Sequence, residues 1–221
     1  MDIPSDRART AVNLFKGAEA QSVLELGCGQ GRDTLLFATE GFQVTALDYS
    51  EAGLLKLEGS ARKIGVSDRI AVLSFDLRKP LPFPDGSFDA CYSHMLLCME
   101  LSTEESRAIL GEIRRILKPD GLALYSVRST TDKHYGAGVR KSEDMYDIGG
   151  FVVHFFSERK IRDLAAGYEI LNLRRMQEGS LPRDLFGVIL RKRDDATDVS
   201  AVQRGKEREV ADPPARGTGF T

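Results

Sequence analysis

Three glycines at alternate positions, Gly27, Gly29 and Gly31 in the stretch VLELGCGQGRD, are the first residues here whose spacing suggests chemistry. They close a run of strand-forming residues and open a helical pattern. A loop of this kind lets a ligand approach the backbone closely, and the strand end and helix N-terminus beside it make a nucleotide site. The third glycine of the dinucleotide fingerprint would fall at position 32, which is Arg32, so the pattern is G-x-G-x-G instead. Two carboxylates add to the loop. Asp48 ends the second predicted strand, 21 residues after Gly27, where it can accept from both hydroxyls of a ribose. Asp76 ends the third, where it could receive the exocyclic amine of an adenine. Either aspartate alone would serve equally well to begin a turn. The two together, downstream of the loop, point to a ligand at the carboxyl ends of the strands.

A second group of residues could hold or activate a reaction partner: His94, His134, Tyr135, Tyr146 and His154. Histidine changes charge near neutral pH and is the usual general base. His94 follows the fourth predicted strand and is the first choice, against a structural role for a lone histidine. His134 and Tyr135 fall in a long connection, where loop packing is the alternative. His154 lies in the apolar run FVVHFF, which reads as core.

The elements that must position these groups alternate short apolar runs with longer amphipathic ones, the pattern of βαβ units. SVLEL, FQVTAL, IAVLSF, FDACYS and LALYSV are the strands. A helix from about Arg32 to Glu40 stops at Gly41, and a second, capped by Ser50, closes at Gly65. Ser102 and Glu105 have capping-box spacing ahead of Ile109, Leu110, Ile113, Ile116 and Leu117. KPDG reads as a turn before the fifth strand, and Ser157 caps a short helix ended by Gly167. The last two strands, near EILNLRRM and DLFGVILRK, are joined without a helix and must be antiparallel. The expected fold is a doubly wound, Rossmann-like, mostly parallel seven-stranded α/β sheet with a reversed terminal strand. One domain spans residues 1–192. Within it, residues 129–156 form an insertion that could close over the site as a lid. The polar stretch 193–221 reads as a solvated tail.

The 221 residues are 42% hydrophobic, enough for a core, and carry a net charge of -2, which disfavours a grip on nucleic acid. Cys28, Cys91 and Cys98 contain no C-x-x-C pair, so neither a disulfide framework nor a zinc site is expected. No metal-ligand spacing, signal peptide or membrane-length apolar run stands out, and a cytoplasmic monomer or homodimer is expected.

VLELGCGQGRD, TALDYS, SFDLRKPLPFPDGSFDACYS and LKPDGLALYSV resemble, in order, the signature blocks of class I S-adenosylmethionine-dependent methyltransferases. The resemblance covers about Ser22 to Val127. More narrowly, GRDTLLFATEGFQVTALDYS and HYGAG…GGFVVHFFSE are similar to small methyltransferases of the tellurite-resistance type. The resemblance implies S-adenosylmethionine as cofactor, with Gly27, Gly29 and Gly31 admitting its methionine end and Glu25 organising the loop. It further implies Asp48 at the ribose, Asp76 and Leu77 at the adenine, Ser93 near the methionine portion, and Tyr49 among the residues that bind the cofactor. Arg32 and Asp33 would lie beneath the cofactor, Asp33 reaching its ammonium group. The acceptor is expected to be a small molecule such as a thiol or a metalloid oxyanion. An NAD-dependent oxidoreductase and a non-catalytic S-adenosylmethionine-binding protein are the competing readings.

Overall fold

The computed structural model describes residues 3–178 and 183–193. Five α-helices and ten strands are found among the described residues. In chain order they begin α1 (Asp6–Gly17), β1 (Ser22–Leu26), α2 (Arg32–Thr39), β2 (Gln43–Asp48), α3 (Glu51–Ile64) and β3 (Ile70–Ser74). Next come β4 (Phe88–His94), α4 (Thr103–Ile116), β5 (Leu117–Ser129), β6 (Val139–Ser142) and β7 (Met145–Ile148). The last are β8 (Phe151–Phe156), α5 (Glu158–Leu164), β9 (Tyr168–Glu178) and β10 (Arg183–Lys192).

Strands β3, β2, β1, β4 and β5 lie side by side and parallel, and β10 runs antiparallel between β5 and β9. This is the expected seven-stranded sheet with its reversed strand. Ser50 and Ser157 accept from helix amides as caps, Ser102 and Glu105 form the capping box, and Gly65 ends α3 with φ 74°. KPDG differs from expectation. It belongs to β5 as an exposed irregularity, with Asp120 at φ 59° and a register shift opposite Phe88 and Ala90.

Two elements were not anticipated. Helix α1 buries Ala8, Ala11, Val12 and Phe15, a helical i, i+3, i+4, i+7 stripe, against Phe37, Phe42 and Tyr92. The insertion is itself a sheet: β6, β7 and β8 form an antiparallel meander. It joins the main sheet where β8 pairs with the last two residues of β5. Helices α1 and α2 pack on one face of the sheet and α4 and α5 on the other. Among the described residues, no helix is long and apolar enough to cross a membrane. The expected tail, from residue 194 onward, lies outside the described residues.

Candidate active site

The turn from β1 into α2 is held by backbone alone at its start. Gly27 and Cys28 donate to the Leu47 carbonyl at 2.8 and 3.1 Å, tying the loop to the end of β2. Gly27, Gly29 and Gly31 have φ of 74°, 55° and 83°, a region that favours glycine. Their surroundings differ. A Cβ on Gly31 would lie 2.2 Å from Leu57 Cδ1, and one on Gly27 2.9 Å from Leu96 Cδ1, so both glycines admit a packed leucine. Only at Gly29 would a Cβ meet open space. Of the three, Gly29 is thus the one whose exposed face a ligand could cover.

The four acids have separate tasks. Asp48, at the end of β2, accepts from the Gly29 amide at 2.7 Å and the Ser50 amide at 2.8 Å, joining loop to α3 with one oxygen each. Each oxygen keeps capacity for a further donor. Glu25 is buried in β1, accepts from Thr34 Oγ1, and burial pushes its pKa up to about 8. Asp76 lies at the rim in a two-pronged contact with Arg78, whose hydrogen bonds hold it below the usual carboxylate range. Asp33 does not face the loop's open side. Its carboxylate accepts from the Ser5 amide and hydroxyl, both at 2.8 Å, and from Tyr92 Oη at 3.0 Å. Burial alone would raise its pKa, but the hydrogen bonds from Ser5 and the charge of Arg32 prevail and lower it. Asp33 is the anchor of α1. The expected contact with a cofactor ammonium would require that anchor to be given up, and Arg32 is paired with Asp33 rather than turned to the cleft.

A cleft of about 440 Å³ opens at the carboxyl ends of the strands, lined by Gly27, Asp48, Tyr49, Asp76, Leu77, Leu96, Met99 and Phe151. It continues into a space lined by Gly29, Gln30, Ser50, His94 and Met95. Ser93, one residue earlier on β4, is buried with its hydroxyl unpartnered among the described residues. On the far side of Met99 and Phe151 lies a second cavity of about 390 Å³, reaching Met95, Cys98, Arg128, His134, Ile148, Val153 and Arg183.

The acceptor-side candidates separate in the same way. His94 Nδ1 lies 2.8 Å from Ser126 Oγ and its Nε2 3.3 Å from Glu178 Oε1, so both ring nitrogens serve to tie β4 to β5 and β9. Burial opposes the charge of Glu178, and His94 holds it below its ordinary range. His134 lines the second cavity, with Nδ1 3.0 Å from Arg128 Nη2 and 3.1 Å from Asp132 Oδ1. Its Nε2 has no protein partner among the described residues. Tyr135 and Tyr146 meet each other and Phe155 edge to face beside the meander, and Tyr135 donates to Asp144. Neither lines the two cavities. His154 is fully buried: Nδ1 donates to the Leu101 carbonyl, and Nε2 accepts from Lys160 Nζ at 3.0 Å.

Several contributors were not singled out from sequence. Arg128 grips Asp132 through two nitrogens, and Asp132 also accepts from the Asp184 amide, so this pair ties the insertion to β10. Leu96, Met99 and Phe151, which wall the cleft, carry no sequence mark. Arg7 is buried over Gly187, where a Cβ would fall 2.7 Å from its Cζ.

Residues 23–121 match the family described as methyltransferase domain. A sterol 24-C-methyltransferase from Gibberella zeae is 38% identical over 103 residues, 45% of this chain and 26% of that protein. The chain spans less than half the length of the curated relatives it matches first. An S-adenosylmethionine-dependent methyltransferase structure from Methanosarcina mazei superposes with a TM-score of 0.72 at 23% identity, covering 79% of this chain and 93% of that one. TehB from Haemophilus influenzae superposes at 0.65 and 19% identity, covering 84% and 62%. These likenesses establish a shared fold.

Proposed function

We infer, from a chain whose residues 23–121 belong to the methyltransferase domain family, that it moves a methyl group from S-adenosylmethionine to a small-molecule acceptor. One observation carries the reading. The open face of Gly29, the Asp48 carboxylate and the rim acid Asp76 surround one continuous space at the strand ends. Bound there, S-adenosylmethionine would supply a methyl group already activated on a sulfonium.

The residues present fit that group. Asp48 has acceptor capacity left after its two backbone contacts and would take the ribose hydroxyls. Leu77 and Leu96 offer apolar walls for the adenine, with Asp76 in reach of its amine. Tyr49 is 82% exposed beside the cleft, an aromatic surface that a bound nucleoside would cover. Met95, Met99 and Phe151 divide this space from the second cavity and would exclude water from the line between them. The acceptor's lone pair would form the new bond to carbon while the old bonding pair stays with sulfur. Any proton on the acceptor must then leave. His134 is the better placed to take it, because His94 has both ring nitrogens committed. Acceptors that are nucleophilic without losing a proton would need only alignment. The sterol methyltransferase relative, named for a small-molecule acceptor, agrees with this class.

The test is calorimetric titration of the protein with S-adenosylmethionine, S-adenosylhomocysteine and NAD⁺. Binding of the two adenosyl sulfur compounds and not of NAD⁺ is expected. Binding of NAD⁺ alone would replace this reading with hydride transfer.

A further inference from the structure

The geometry points to an amphipathic organic anion as the acceptor: an apolar body in the second cavity, with its acid group on Arg183. This rests on the methyltransferase reading above. The cavity, about 390 Å³, is of a size that takes small ligands. Met95, Met99, Ile148, Phe151 and Val153 make its walls apolar, and methionine side chains adapt readily to varied shapes.

Its charged lining is entirely basic. Arg128 is already neutralised by the two-pronged contact with the buried Asp132. Arg183 also lines the cavity, is solvent-exposed, and has no carboxylate partner among the described residues. No Asp or Glu is among the lining residues. An arginine at the rim of an apolar pocket selects a carboxylate or related oxyanion through paired, charge-assisted hydrogen bonds. A cationic acceptor would be repelled, and a neutral one would leave that charge to water. Met95, Met99 and Phe151 also border the cofactor cleft, so a ligand filling the cavity reaches the wall that the two spaces share.

The experiment uses octanoate and its uncharged analogue octanamide, titrated calorimetrically into the full chain with and without S-adenosylhomocysteine. Octanoate is expected to bind at least about tenfold more tightly than octanamide, the discrimination typical of one partly exposed hydrogen bond to a charge. Arg183→Gln should lower octanoate affinity about tenfold and leave octanamide unchanged, with Arg183→Lys intermediate. Equal affinities for the two probes, absence of octanoate binding, or undiminished octanoate binding by Arg183→Gln would overturn the proposal. S-adenosylhomocysteine titrated alone reports on the methyltransferase reading separately. Its failure to bind, with the octanoate preference intact, would sink that reading and leave the anion site standing.

Discussion

Asp48 can be tested both as a brace of the glycine loop and as a ligand-binding group, and the two roles separate experimentally. Its oxygens accept from Gly29 and Ser50 at 2.7 and 2.8 Å, so Asp48→Ala strips two backbone amides of a charged partner. A hydrogen bond to a charged group contributes about 1.5–3 kcal/mol. Asp48 borders an open cleft, so water can replace part of that, and a stability loss of about 2–3 kcal/mol is expected for the pair. Loss of the contacts to the ribose hydroxyls should weaken S-adenosylhomocysteine binding a further roughly 100-fold, equivalent to about 2.7 kcal/mol. Asp48→Asn keeps one acceptor oxygen and should lose roughly tenfold in affinity. Urea denaturation measures the first effect. Calorimetry at a temperature where both variants are folded measures the second. A variant that is destabilised yet binds with wild-type affinity would refute the ribose assignment and leave Asp48 as a brace alone.

Other residues make sharp predictions too. Glu25 has a folded pKa near 8, above its unfolded value, so the native state binds the extra proton and stability falls as pH rises from the usual carboxylate range to about 8. Glu25→Gln should remove that slope, gaining on the order of 3 kcal/mol at pH 8 relative to pH 5 in urea denaturation; an unchanged slope would contradict the assignment. Asp33 is the opposite case, with a depressed folded pKa. Its stabilisation is present above the ordinary carboxylate range and is lost as pH falls through the lowered value, so Asp33→Asn should flatten the acid limb of stability by about 1–3 kcal/mol. Gly31→Ala places a Cβ 2.2 Å from Leu57 at φ 83°, and a loss of about 2–4 kcal/mol in denaturant unfolding is expected.

The helix caps at Ser50, Ser102 and Ser157, the closing glycines and the strand alternation were legible because each depends on neighbours within a few residues. The reversed β10 was legible as well, since a connection without a helix cannot return a strand in parallel. Helix α1 is also marked locally, by its stripe of Ala8, Ala11, Val12 and Phe15. The meander was hidden, because residues 129–156 pair with one another and with the end of β5 only once β5 is in place.

The sequence by itself determined the alternation of strands and helices, the glycine turn and the two strand-end acids, because backbone stereochemistry and hydrophobic period act locally. Tertiary structure decided which side chains were already spent. Asp33 looked available until Ser5, 28 residues away, took its oxygens. His94 looked like a base until Ser126 and Glu178 occupied both nitrogens. His134, in the insertion read as a possible lid, kept one nitrogen without a partner among the described residues. A polar group's chemistry depends on its competing hydrogen-bond partners, and partners brought from distant elements leave no trace in local spacing.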